Sequence, residues 1–571
     1  MTRAWPKSMP PSLDYPDAGI DRLLAGAARS FSDRIAVRDG EETLTFAELY
    51  DHVLRVAGGL RERGIVPGDV VAMHMPNSLW YVVAYYGAIC AGATVAPVNP
   101  AQPACALTEQ LQDVGAGAVV THPACAAALA GVDVPGVRFV VCVSGTAAAP
   151  APASPPPASP PPAHQETVPF AELLAAAPLT GYATDPEQVA HFQLTGGTTG
   201  RSKAVRVLHR NAVAAVLQAA CLRSATLPEQ DAEGGVFLRP VPDALNAYAL
   251  PVGEGATIAV APLFHGMGLI TQSVNIVLGQ TTVMVAGFQP DAFLADVERH
   301  GVTAITGSPA MYYALLASPA LDKHDYSRVL MAVSGAAPID TKALSRLAEV
   351  FPNALVCEGY GLTEASMGLA GAPPNPTVAT PVGSVGIAVF DTRIEIRSPD
   401  THTVLGVGET GEVWASGPQV ADGYHGQPEL TAEQFADGWL RTGDMGRLDE
   451  HGHLFLVGRA KDMIIYKGYN VYPQPLEEIL CSHPVVAQAA VVGAPSANAG
   501  EIPAAFVVLR PGVEEADELA DELMEYVAER VAPYQKVRDL RVVDFLPLTP
   551  TGKILKSALR DQLTEDAATA H

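Results

Sequence analysis

Helix-length apolar stripes alternate with short apolar runs along most of this chain, and that alternation constrains its fold more than any other feature. Residues 47–63 place Leu49, Val53, Val56 and Leu60 on one helical face; Gly64 stops the stripe, and "PGDVVAMHM" follows as a turn and a buried strand. The same pairing recurs over residues 293–305 and 344–355. Strands joined through helices need crossover connections, so the pattern predicts an α/β fold with largely parallel sheets. The most membrane-like stretch, "YVVAYYGAICAGATVAPV" (residues 81–98), is interrupted by Gly87, Gly92 and Pro97. A buried helix followed by a strand accounts for it better than a membrane span, so no membrane insertion is expected. The first residues, "MTRAWPKSMPPSLDYPD", hold no apolar run, and no secretory signal is expected.

Two stretches break the alternation. Residues 150–163, "PAPASPPPASPPPA", are low-complexity and favour solvated polyproline II, as a linker or insertion. Residues 227–255 hold four prolines and no clear period, and read as a surface loop or part of a lid. After Gly458 the composition changes. Residues 461–571 carry their own short strands, "AQAAVVGAP" and "AAFVVLRPG", and a helix, "ADELADELMEYVAERV", with Leu519, Leu523 and Val527 on one face. That is enough for a small α+β domain beside a large N-terminal region of residues 1–460.

The formal net charge of -25 argues against nucleic acid or an anionic membrane surface as the main partner. Any phosphate site must then be a local cluster of donors. Seven widely spaced cysteines with no CxxC read as reduced thiols of a cytoplasmic protein, with no zinc site. The strongest local cluster is "FQLTGGTTGRSKAV", residues 192–205, with three glycines, four hydroxyls, Arg201 and Lys203. Backbone N–H groups of such a turn form an anion nest. The residues after Lys203, "AVRVLHRNAVAAVLQAA", read as a helix whose positive end adds to it. The Walker spacing is absent, because Arg201 follows Gly200 and Lys203 comes two residues later.

Six further motifs follow in order: "APLFHGMG" (261–268), "VSGAAPI" (333–339), "EGYGLTEA" (358–365), "LRTGDMG" (440–446), "GRAKDMIIYKGYNVYP" (458–473) and "PLTPTGKILKSALR" (547–560). With the glycine-rich loop, this series resembles the adenylate-forming superfamily of acyl-CoA synthetases, aryl-acid ligases, adenylation domains and luciferases, and is most similar to bacterial acyl-CoA ligases. The resemblance covers nearly the whole chain. It implies that residues 461–571 form a small mobile lid. It also implies ATP-dependent activation of a small-molecule carboxylic acid to acyl-AMP with pyrophosphate release, then transfer to the thiol of coenzyme A. Two alternatives use the same nucleotide motifs: loading onto a carrier-protein phosphopantetheine, and activation of nitrite for diazotisation of an aryl amine. A non-catalytic nucleotide-binding relative is disfavoured because Lys553, Glu364 and Asp444 are all present. The oligomeric state implied is a monomer or homodimer.

The resemblance also assigns roles. Thr195, Thr198, Thr199 and Lys203 would hold the pyrophosphate end of ATP, with Gly196, Gly197 and Gly200 letting the backbone approach. Tyr360 would stack on adenine, Thr363 would bond the α-phosphate, and Glu364 would hold Mg2+, a hard cation suited to carboxylate oxygen. Asp444 would accept from the ribose hydroxyls, since one carboxylate can take two donors. Arg459 would bind ribose and phosphate. Ala336, Ala337, Pro338, Glu358, Gly359 and Gly361 would complete the nucleotide site. The acid pocket would draw its walls from residues 265–271, 307–309, 334–337 and 359–361, with His265 as gate and wall. Lys553 would neutralise charge on the attacking carboxylate and the phosphate. Lys461 would be the hinge of a rotating lid, and Lys467 and Gly468, in "KGYN", would line a channel for the thiol. Gly266 stands where amino-acid adenylation domains carry an aspartate, which disfavours an α-amino acid. Ile465 replaces a lysine found in plant aryl-CoA ligases.

Overall fold

The computed structural model describes residues 4–129, 131–143, 166–195, 202–285, 287–496, 498–510, 512–513, 518–548 and 554–569. The proline-rich stretch 150–163 lies outside them. Among the described residues the alternation builds two seven-stranded sheets. The first runs in spatial order Glu166–Pro169, Phe139–Cys142, Ala116–Thr121, Val70–His74, Thr94–Pro97, Val189–Thr195 and Lys203–Leu208. The second runs Leu355–Glu358, Met331–Ser334, Ala304–Gly307, Ala256–Ala259, Thr281–Met284, Ile35–Asp39 and Glu42–Thr45. All neighbours are parallel except one antiparallel pair at an edge of each sheet.

The membrane-like stretch is helix Leu79–Cys90 followed by strand Thr94–Pro97, as its periodicity predicts. Ser78 caps the helix, its Oγ accepting from the Tyr81 amide at 3.2 Å. Tyr81, Tyr85 and Tyr86 are fully buried. Their hydroxyls reach Leu263 O at 3.2 Å, His191 Nδ1 at 3.2 Å and Ser273 Oγ at 2.9 Å, so each buried ring keeps a polar partner. These bonds tie the helix to strand Val189–Thr195 and to helix Gly266–Val277, which flank the cavity described below.

Two expectations are corrected. The residues after Lys203 are not helical: Lys203–Leu208 is a strand, antiparallel to Val189–Thr195, and the helix begins only at His209. Tertiary hydrogen bonding decides this. The outer edge of the strand pairs with residues 422–425, through Arg206 N to Gly423 O at 2.8 Å and His425 N to Ala204 O at 2.8 Å. The strands on either side of the glycine-rich loop pair with Thr195 opposite Lys203, and no helix N-terminus follows Lys203 directly. The second correction concerns residues 227–255, whose first half is not an irregular loop. Thr226–Gln230 and Val236–Pro240 form an antiparallel hairpin, with Val236, Leu238, Ala244 and Leu250 buried in the main core.

A third sheet joins Arg393–Arg397, Gly411–Ser416, Trp439–Leu448, Phe435–Ala436 and Leu454–Arg459, all antiparallel. The chain leaves it through a short 3-10 turn, Ala460–Asp462. A fourth sheet then takes Ile464–Tyr466, Tyr469–Val471, Val486–Ser496, Gly500–Leu509 and Asp539–Val542, strands drawn only from the C-terminal part of the chain. Leu519, Leu523 and Val527 of helix Leu519–Ala528 are buried against it, in a core separate from the larger one. A large parallel-sheet N-terminal part and a smaller mixed α+β C-terminal part result. No helix among the described residues is long and apolar enough to cross a membrane.

Candidate active site

The C-terminal ends of strands Met331–Ser334 and Leu355–Glu358 open into a cavity of about 940 Å³. In parallel sheets this is where backbone groups and loops converge on a ligand. Its walls bring together Thr195, Ser202 and Lys203 of the hairpin, His265–Met267, Gly335 and Ala336, the run 358–364, Arg459 and Lys461. Residues nearly 270 positions apart thus face one space. The loop residues Gly196, Gly197, Thr198, Thr199 and Gly200, and Lys553, lie outside the described residues. Leu555 lines the cavity, and the chain before it is closed by a bridge between Leu548 and Ile554.

Three charged or polar side chains fill one corner. Lys203 Nζ lies 5.2 Å from the centre of the Tyr424 ring. The Tyr424 hydroxyl donates to Glu364 Oε1 at 2.7 Å. Burial, followed by the neighbouring Glu364 charge, pushes Tyr424 far above the ordinary tyrosine range, so it stays a donor. The sequence reading missed Tyr424. Its signal was the short turn "DGYHG", in which Gly423 and Gly426 both adopt left-handed φ, at 92° and 66°.

Thr363 and Glu364 begin a 3-10 turn just after Gly361. A Cβ at Gly361 would stand 1.5 Å from Met367 O, so only glycine fits there. Ala336 holds a left-handed φ of 70°, a conformation that strains any residue with a Cβ. Ala337 and Pro338 follow it in the same loop but do not line the cavity.

A second corner is built across adjacent strands, with Tyr360 and Arg459 on the cavity wall and Asp444 buried beside them and not lining the cavity. Tyr360 donates its hydroxyl to Asp444 Oδ2 at 2.7 Å, and Arg459 Nε stands 3.1 Å from Asp444 Oδ1. Asp444 and Arg459 are cross-strand partners, so the ladder register fixes their approach. The Asp444 carboxylate in turn raises Arg459 above its ordinary range. Lys461 is shifted down, first by burial and then by the Arg459 charge. Lys467 and Gly468 are not brought to the cavity. They form the tip of the hairpin between Ile464–Tyr466 and Tyr469–Val471, with left-handed φ of 50° and 83°. His265 caps helix Gly266–Val277, its Nδ1 accepting from the Met267 amide at 3.3 Å. That bond requires an unprotonated Nδ1 and fixes the ring as part of the wall.

Glu358 is buried beside the cavity and accepts from the Ile339 amide at 3.4 Å. Burial pushes its carboxyl up to about 7, and the Glu478 and Asp340 charges add to the shift. The native state thus keeps this proton up to about pH 7, whereas the unfolded chain releases it near 4.5. Stability falls as pH rises between those values, and the penalty is complete above pH 7. Glu358→Gln is expected to remove it. Urea unfolding should show the variant more stable than wild type at pH 8, by up to about 3 kcal/mol. At pH 4 the two should coincide, and a constant difference across the range would contradict the buried proton.

Comparison with known proteins agrees with this geometry. Residues 24–425 match the family model described as AMP-binding enzyme, and residues 475–553 match AMP-binding enzyme C-terminal domain. A 4-coumarate–CoA ligase from rice, Oryza sativa subsp. japonica, is 33% identical over 93% of this chain and 92% of its own length. A long-chain-fatty-acid–CoA ligase from Bacillus subtilis is 31% identical over 98% of each chain. Among solved structures, ATP-bound MatB from Rhodopseudomonas palustris is 26% identical, with a TM-score of 0.77 over 95% of this chain and 99% of that one.

Proposed function

This chain belongs to the AMP-binding enzyme family and is an AMP-forming, adenylate-forming ligase of the acyl/aryl-CoA ligase type, and from that premise we propose that it joins a carboxylic acid to coenzyme A through an acyl-adenylate. The observation that carries this reading is the single cavity in which phosphate-type donors and an apolar extension meet. Thr195, Ser202 and Lys203 stand at one side, and Met331, Val333 and Ile270 line a continuation of the same space.

In the first step an acid carboxylate oxygen bonds to the α-phosphorus of ATP, and the bond to pyrophosphate breaks. Both reactants are anions, so positioned cations and donors do most of the work. We assign Lys203 and the glycine-rich turn to the departing pyrophosphate and Thr363 to the α-phosphate. Tyr360 offers its ring, and Asp444 the ribose acceptor that Tyr360 and Arg459 orient. Glu364 is the carboxylate we assign to Mg2+, which would supply charge neutralisation between the phosphates. Such an ion keeps phosphate and water ligands, so a protein site with one carboxylate suits it. Tyr424 holds that carboxylate in place at 2.7 Å. In the second step the thiol attacks the acyl carbon and AMP leaves; we infer a boundary at residues 460/461 and a rotated arrangement in which Lys467 and Gly468 approach the thiol. A carrier-protein phosphopantetheine presents the same reactive thiol.

The test is acid-dependent pyrophosphate release, followed by mass detection of the thioester with coenzyme A and with a phosphopantetheinylated carrier. Thioester formation with coenzyme A is the expected result. Acyl-adenylate that persists in the presence of both thiols would refute the second step. Asp444→Ala provides the control on the nucleotide. It removes charge-assisted bonds of about 1.5–3 kcal/mol each, so ATP binding by calorimetry should weaken more than tenfold. Unchanged binding would take Asp444 out of the ribose site.

A further inference from the structure

One cation in the cavity has no part in the mechanism above. Arg223 sits in the last turn of helix His209–Ser224 and lines the cavity with Ala219 and Leu222 of the same helical face. No side-chain hydrogen bond or ion pair joins it to any described residue. The groups closest to it in charge are the Cys357 thiol and the Tyr312 phenol. Both are neutral: burial pushes Cys357 up to about 12 and Tyr312 further above its usual range. Burial lowers Arg223 itself, yet a guanidinium stays charged at any physiological pH. Arg223 therefore presents a half-buried cation to the cavity, with no counter-ion among the described residues, and leaves it open to an anionic ligand.

Helix capping does not explain this arginine. The carbonyls of Ala220, Cys221, Arg223 and Ala225 already accept from Ser224 Oγ and from the amides of Ala225, Leu250 and Val241. Nor does it belong to the phosphate end. Alternate residues Met331, Val333 and Gly335 face the cavity, so it extends along strand Met331–Ser334. Gly335 stands at the end where the nucleotide motifs lie. Cys357 pairs with Val333, two residues below it, which is roughly 7 Å along a strand.

We propose that Arg223 is a specificity-determining residue that binds a second anionic oxygen group, a carboxylate or its equivalent, on the acid at the end distal to the carboxyl that is activated. This rests on the acid-activation reading above and narrows it to acids with two anionic ends. A planar guanidinium receives a carboxylate through two parallel N–H···O bonds, so the preference should be steep. A benzene ring with para carboxyls and a six-carbon chain both span the distance roughly.

The test uses two matched pairs, terephthalate against 4-methylbenzoate and adipate against hexanoate, which separate aryl from aliphatic frames. Wild type should favour one diacid over its partner by about 10²-fold or more in kcat/KM for pyrophosphate release, because a polar group left unpaired in a site is strongly rejected. Arg223→Met should erase that ratio, mainly through KM, and Arg223→Lys should restore part of it. Should Arg223→Met fail to fold, Arg223→Gln is read by the same ratio. Equal use of both members of each pair by wild type, or an equal loss for both in the variants, would overturn the proposal. If no acid yields pyrophosphate, acid activation itself fails, and binding decides separately. A diacid that raises the melting temperature of wild type and not of Arg223→Gln supports the site; no shift with either diacid removes it.

Discussion

Lys553→Ala is expected to lower acid-dependent pyrophosphate release by about 10²–10³-fold, the usual loss when one preorganised charge is taken from a transition state. ATP binding should change little, and attack of coenzyme A on supplied acyl-adenylate should be spared. The reason is electrostatic. An acid carboxylate must approach a triphosphate, in a protein whose own formal charge is -25. Among the described residues, Lys203 sits against Tyr424 at the hairpin, Arg459 is committed to Asp444, and Arg223 is engaged in neither corner. None of these is assigned to the bond between carboxylate and α-phosphorus. Lys553 is carried by the segment between Leu548 and Leu555, whose ends are joined by the Leu548–Ile554 bridge, and Leu555 reaches the cavity wall. Parallel assays of the two half-reactions on one preparation decide the matter. Equal loss in both would make the lysine structural and leave the first step without its cation.

The alternation of stripes and apolar runs made the two large sheets readable, because parallel strands buried on both faces leave an unmixed apolar signature. The stripe of Leu49, Val53, Val56 and Leu60 is buried as read. What local pattern could not reveal was the fate of Lys203–Leu208. An Ala/Val-rich run is compatible with helix or strand, and the contest was settled by amides and carbonyls of residues 422–425, more than two hundred positions away. The hairpin at residues 226–240 was hidden for a related reason: its prolines read as breakers, whereas Pro228 and Pro240 sit within a two-stranded ribbon that has open edges. In the candidate site, the motif residues were legible as clusters of glycine, hydroxyl and charge. Tyr424 and Arg223 were not. Each gains its meaning only from neighbours across the fold, Glu364 and Lys203 for one and the floor of the cavity for the other. A single aromatic in a turn and a single arginine near a helix end carry no periodic signal.

Lys461→Pro is expected to leave acyl-adenylate formation within about fivefold of wild type while slowing its consumption by coenzyme A by about 10²-fold or more, as locking a backbone hinge should. Lys461 is the middle residue of the 3-10 turn Ala460–Asp462, the only covalent passage between strand Leu454–Arg459 of the third sheet and strand Ile464–Tyr466 of the fourth. In the arrangement seen, Lys461 lines the cavity, and an ion pair between Asp462 and Arg560 braces the turn against the last helix. A 3-10 turn holds φ between about -50° and -70°. Proline fixes φ near -65°, and the first turn of a helix tolerates its missing donor. The substitution therefore suits the present arrangement and resists any other that needs a different φ. Its cost falls on Ala460, since a residue before proline is pushed out of the helical region, and this is the source of the modest loss in the first step. Two rates on one preparation provide the measurement: the burst of adenylate without coenzyme A, and its decay once the thiol is added. Wild-type values for both would show that the C-terminal part does not pivot here. Thiol attack would then have to reach the acyl carbon in the arrangement seen, with Lys467 and Gly468 still at a hairpin tip outside the cavity.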